Sequence, residues 1–117
     1  MEINIIFYLI SMKMNVKMNT TVAICFAYVQ AYLSRAAYYG HHGKYSKAIL
    51  NCNEAVQLQP KSVRAYLYRG ALKYRIRAFR LAIYDLDQAI QLDNVCRLAY
   101  YNRALCQQAT GDISKVP

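Results

Sequence analysis

The chain has 117 residues, 56% of them apolar or aromatic, with a mean hydropathy of +0.03. That length holds one compact domain rather than two, and the wealth of Tyr, Leu and Ile excludes a disordered tail. The net charge is +9, and Lys61, Arg64, Arg69, Lys73, Arg75, Arg77 and Arg80 fall in one acid-free segment, which directs attention to anionic partners.

In chain order, the first thirty residues carry three charges, Glu2, Lys13 and Lys17, and no Gly or Pro, so 1–28 reads as a separate apolar leader. Its longest uncharged stretch, 18–34, is shorter than the ~20 solidly apolar residues that span a bilayer, and Asn19, Thr20, Thr21 and Gln30 dilute it. No membrane span is expected. Lys13 and Lys17 ahead of "TVAICFAYV" outline a secretory signal, but the preceding segment is too long and holds its own apolar run, "IIFYLI". Cys25, Cys52, Cys96 and Cys106 form no C-x-x-C pair and read as reduced thiols of a cytoplasmic protein.

From residue 29 the chain repeats itself every 34 positions. "YSKAILNCNEAVQLQP" at 45–60 returns as "FRLAIYDLDQAIQLDN" at 79–94, and "AYLSRAAYYG" at 31 returns as "AYLYRGALKY" at 65 and "AYYNRALCQQ" at 99. Apolar spacings of 3 and 4 make each half a helix, so each unit is a helix pair: 29–62, 63–96, and a shorter third unit over 97–117. "QPKS" and "LDN" precede the second and third first-helices, with Ser62 and Asn94 as N-cap candidates. Gly40 and Gly43 suit the reversal inside the first unit, where the second has "RIRA". Neither helix of a unit buries its apolar stripe alone, so neighbours must stack into an all-α solenoid. Asn51 and Asn53 of the first copy become Asp85 and Asp87 in the second, at positions read as exposed.

These units resemble the tetratricopeptide repeat family through Tyr32, Ala36, Tyr39, Gly43, Tyr45, Ala48, Cys52, Ala55 and Pro60 in the first copy, and Tyr66, Gly70, Phe79, Ala82, Leu86 and Ala89 in the second. Lys73, Arg77 and Asn94 depart from the family pattern, which favours Tyr, Gly and Pro there, and a third unit ending in "GDISKVP" suggests a fragment or truncated isoform. The resemblance implies an α-α superhelix of helix-turn-helix repeats acting as a protein-interaction scaffold, with partners held on the concave first-helix face. The residues this places on that face are Leu33 and Ser34, Arg64, Leu67, Tyr68, Tyr74 and Arg75, then Leu98, Tyr101 and Asn102.

Family members that hold the C-terminal acid of heat-shock chaperones do so with a Lys, Asn and Arg clamp. Here those positions are Leu33, Ala37, Tyr68, Leu98 and Asn102, so the clamp is absent. Arg35, Arg69 and Arg103 recur once per unit, and with Asp85 nearby they read as structural ion pairs more than as a basic ladder. The expected partners are acidic protein segments. A nucleic-acid surface is the alternative, because Tyr66, Tyr68 and Tyr74 interleave with the basic run, and so is a truncated product without independent function. His41 and His42 stand in a turn without ligand spacing, and no phosphate-cradling loop or carboxylate pair occurs. No enzyme activity, cofactor, metal, small-molecule substrate or membrane partner is expected.

Overall fold

The computed structural model describes residues 18–111, and the side chains from Thr20 onward. Leader residues 1–17, among them Glu2, Lys13 and Lys17, lie outside the described residues, as does the end of the third unit from Asp112. Among the described residues five helices follow one another: α1 Met18–His41, α2 Tyr45–Leu58, α3 Val63–Arg75, α4 Phe79–Leu92 and α5 Arg97–Ala109. No strand occurs among the described residues. Each helix packs on the next, and α3 also touches α5, giving the all-α superhelix in which α1, α3 and α5 share one face.

Small residues bring the helices together. Ala36, Ala48, Ala55, Ala65, Ala82, Ala89 and Ala99 are fully buried, so backbones approach where a larger residue would hold them apart. Ala36, Ala48, Cys52, Ala55, Ala65 and Leu72 belong to one core cluster with Val29 and Leu33, while Ala82, Leu86 and Cys106 form a second. At Gly70 an added Cβ would lie 2.8 Å from Leu86 Cγ and 3.2 Å from the Ala82 carbonyl oxygen, so the glycine seats Leu86.

The helix breaks are as regular as the helices. Gly43, Arg77 and Gly111 have φ of 76°, 67° and 75°, and each amide donates to the carbonyl three residues back, at 3.1, 3.0 and 3.0 Å. The second unit thus holds a left-handed turn without the glycine that normally relieves it. Gly40 has a different task from the expected one. It lies inside α1, where a Cβ would come within 2.7 Å of the Tyr68 hydroxyl and 3.1 Å of Leu72, so it allows α3 to approach α1. Ser62 caps α3, its hydroxyl accepting from the Ala65 amide at 3.1 Å. Asn94 does not cap α5; Cys96 holds the N-cap position, and the Asn94 carbonyl accepts from the Tyr100 hydroxyl at 3.0 Å.

Residues 18–28, read as leader, are continuous with the first repeat helix: α1 has no break at 28, and the Cys25 thiol donates to the Leu58 carbonyl at 3.4 Å. No described helix is long and apolar enough to cross a membrane. All four cysteines are free, with Cys52 and Cys106 buried, and burial pushes their thiols up to about 12 and about 11.

Candidate binding groove

The arginine row is built into the frame. Arg35 Nε donates to Asn51 Oδ1 at 2.8 Å; 34 residues on, Arg69 Nε and Nη2 grip both oxygens of Asp85 at 3.0 and 2.8 Å. Arg69 also donates through Nη1 to Asn53 at 2.9 Å, and Arg103 Nη1 donates to Asp87 at 3.0 Å. Arg69 therefore reaches the second-helix of its own unit and that of the unit before, while Arg35 bonds within its own unit and Arg103 bonds to the unit before. Asn51 and Asp85 are buried rather than exposed, because the arginine above each supplies the hydrogen bonds that burial demands. Lys73 Nζ adds a contact of 2.9 Å to Asp85, which accounts for a lysine where the family pattern has Tyr. Burial works to lower the Arg69 pKa, but the hydrogen bond and charge of Asp85 outweigh it and raise the value. Two bases of the acid-free segment are thus directed inward onto one carboxylate, which offsets one of their two charges.

The shared face of α1, α3 and α5 forms an open groove of about 840 Å³. Ser34, Ala37, Tyr38 and His41 line it from α1, His42 and Tyr45 from the following turn and α2, Tyr68, Ala71, Tyr74 and Arg75 from α3, and Asn102 and Leu105 from α5. No carboxylate stands among these lining residues, and Arg75 brings a permanent positive charge. Arg75 Nη2 donates to the Tyr45 hydroxyl at 2.9 Å, and its guanidinium lies over the Tyr45 ring, 5.4 Å from the centroid. Tyr68 reaches across to α1, its hydroxyl donating to the Ala36 carbonyl at 3.4 Å in the space that Gly40 leaves open. Burial, and then the nearby Cys52 thiol, push the Tyr68 phenol up, so it stays a proton donor. The result is an aromatic floor with donors along it: phenols, the Ser34 hydroxyl, the Asn102 amide and one guanidinium.

Of the residues placed on this face from the repeat register, Ser34, Tyr68, Tyr74, Arg75 and Asn102 come together in the groove. Leu33 does not. It is 3% exposed in the core beside Val29 and Ala36, because the second unit covers it. Leu67 packs on the Ala82, Leu86 and Cys106 cluster. Arg64 lies outside the groove, hydrogen-bonded to Gln30, and Leu98 and Tyr101 are 60% and 63% exposed without lining it. Tyr38, His41, His42 and Tyr45 are absent from that expectation, although Ser34, Tyr38 and His41 follow the 4 and 7 spacing of one helix face. His42 bonds the Tyr38 carbonyl at 2.8 Å, and no three His, Cys, Asp or Glu side chains cluster as metal ligands among the described residues.

The architecture is that of tetratricopeptide repeat domains. No protein-family model matches the sequence. Among solved structures, MamA is similar at 30% identity and a TM-score of 0.72 over 75% of this chain and 52% of its own. The first TPR domain of Spaghetti (RPAP3), bound to the HSP90 peptide SRMEEVD, matches at 20% identity and a TM-score of 0.73, covering 75% of this chain and 72% of that one. The TPR2AB domain of yeast Sti1, in its pHSP90 complex, matches at 22% identity and 0.74, covering 87% and 42%. The chain thus spans about half the length of MamA and less than half of the Sti1 structure.

Proposed function

We propose that the chain is a member of the tetratricopeptide repeat family, a cytoplasmic protein-interaction scaffold without enzymatic activity that seats an extended acidic segment of a partner protein in the groove between α1, α3 and α5. The observation that carries this reading is the pairing of an aromatic lining with Arg75 and with no carboxylate among the described lining residues. Rigid phenols and a guanidinium give contact area and hydrogen bonds at low entropic cost, the composition favoured at interface centres. Within the family the sequence most resembles an animal tetratricopeptide repeat protein of the kind numbered six.

The relatives that bind HSP90 tails set a limit on the likeness. At the clamp positions this chain has Leu33, Ala37, Tyr68, Leu98 and Asn102, with no lysine or arginine among them. The proposed ligand is therefore an internal acidic stretch and not a chaperone C-terminus. Micromolar binding of the peptide SRMEEVD would overturn that distinction. A nucleic-acid partner is the weaker reading, because Arg69 and Lys73 are committed to Asp85 and interrupt the basic track. Crosslinking and mass spectrometry from cells tests the groove itself: Arg75→Glu with Tyr68→Ala should remove the acidic partners, and an unchanged partner list would sink the assignment.

A further inference from the structure

The turns inside the first two units lie at one end of the molecule. Helix α1 ends at His41 and α2 starts at Tyr45, α3 ends at Arg75 and α4 starts at Phe79, and the Arg75 bond to the Tyr45 hydroxyl ties the two turns together. Lys44, Lys47, Arg77 and Arg80 are exposed along this edge, and none of them is ion-paired among the described residues. No described acid stands beside them: Glu54 is in the third turn of α2, Asp85 is buried under Arg69 and Lys73, Asp87 holds Arg103, and Asp93 closes the far end of α4. Between the cations, Ile76 and Leu81 are 45% and 59% exposed. Leu81 takes the position that Lys47 holds one repeat earlier, so a cation and an aliphatic chain share one register. Arg77 holds φ 67° where glycine would be unstrained, and strain of that kind kept at a surface points to a use outside the fold.

We propose that this edge docks on an anionic lipid bilayer, with Lys44, Lys47, Arg77 and Arg80 at the level of the phosphates and Ile76 and Leu81 entering the boundary with the acyl chains. Charge complementarity selects the surface, since a cluster of about four cations beside apolar side chains is what an anionic leaflet holds, each part being marginal alone. The aliphatic chains favour lipid over nucleic acid. Bases would stack on open rings, and here Tyr39, Tyr45 and Phe79 already lie under Lys47, Arg75 and Arg77, at 5.6, 5.4 and 5.4 Å from their centroids. Adsorption of this kind needs no spanning helix. The expectation of no membrane partner arises because 44–47 and 75–81 become one edge only when the units stack, while Arg69 and Lys73 of the same basic run turn inward.

Vesicle co-sedimentation with the full chain is the test, on phosphatidylcholine alone and on phosphatidylcholine with about 30% phosphatidylserine. Binding is expected only with phosphatidylserine, and it should weaken steeply with salt. Lys44→Glu with Arg80→Glu should weaken it at least about tenfold. Lys61→Glu with Arg97→Glu, at exposed cations on the opposite end of the helices, makes the same change in net charge and should weaken it less than about threefold. The chain has no Trp, so Leu81→Trp adds a single reporter whose emission should shift to the blue on the anionic vesicles. All five positions are exposed, and unchanged melting curves show the variants to be folded. Absence of binding, no greater loss from the first charge reversal than from the second, or an unshifted Trp emission on bound vesicles would each overturn the proposal. So would binding of single-stranded RNA at physiological salt that Lys44→Glu with Arg80→Glu abolishes, since the edge would then serve a nucleic acid.

Discussion

The first unit, α1 with α2, and the second, α3 with α4, share a frame and close it with different chemistry. In the first, Arg35 meets neutral Asn51, the position of Lys73 is taken by Tyr39, Ala36 shares the core with Cys52, and a glycine makes the turn. In the second, Arg69 meets the carboxylate of Asp85, Lys73 supplies a second cation, Gly70 seats Leu86, and Arg77 makes the turn. These exchanges are coupled. A buried carboxylate brings its own counter-ions, and a larger core residue on one helix requires a smaller one on its neighbour. The repeat conserves the sum of each contact and lets its parts vary.

The largest effect expected from breaking that coupling is at Asp85. Asp85→Ala leaves Arg69 and Lys73 facing each other without an anion in a buried site, which costs on the order of 3–5 kcal/mol in urea unfolding. Asp85→Asn alone should cost roughly 1–2 kcal/mol, and adding Lys73→Tyr should recover part of it by restoring the set found in the first unit. A double variant no more stable than Asp85→Asn would show that the two positions are not coupled.

The size coupling comes next. Gly70→Ala would drive a methyl group into Leu86 and the Ala82 carbonyl, at a cost of about 1–3 kcal/mol. Leu86→Cys on top of it reproduces the pairing of Ala36 with Cys52 and should be less unstable than the sum of the two single changes in thermal melts. Additive losses would deny that the positions compensate.

A smaller contrast appears in alkali. The Cys52 thiol, ordinarily near 9, is pushed up to about 12 by burial, so the unfolded chain loses this proton first and stability falls as pH rises from about 9 toward 12. The slope approaches about 1.4 kcal/mol per pH unit for one thiol. Below pH 9 the contribution is fully present. Cys52→Ala should flatten the alkaline limb relative to the parent chain, and equal slopes in urea titrations at pH 8 to 10.5 would place the thiol's proton elsewhere.

Much of this frame is legible in the sequence, because period and small-residue spacing are properties of single letters. The groove is less so. Register alone puts Leu33 and Ser34 side by side, but only the stacked second unit decides that Leu33 is covered and Ser34 left open. The same holds for Asn51 and Asp85: polar letters on a helix read as solvent-facing, and their burial depends on arginines 16 residues away. Tyr45 enters the groove from a second-helix because Arg75 bonds its hydroxyl, a contact between units that no spacing within one unit encodes.

The smallest prediction concerns the turn. Arg77 holds φ 67°, a left-handed conformation that costs an ordinary residue roughly 1–2 kcal/mol, where the first unit has Gly43. Part of this is offset, since the Arg77 guanidinium lies 5.4 Å from the Phe79 ring centroid, and glycine would also cost more entropy on folding. The balance favours glycine by about 0.5–1 kcal/mol, so Arg77→Gly should raise the melting temperature by a few degrees. Arg77→Asn separates the two contributions. Asparagine tolerates the left-handed region but cannot cover the ring, so it should gain less than glycine gains. If both variants melt below the parent chain, the ring contact outweighs the backbone strain and the second unit has no defect at its turn.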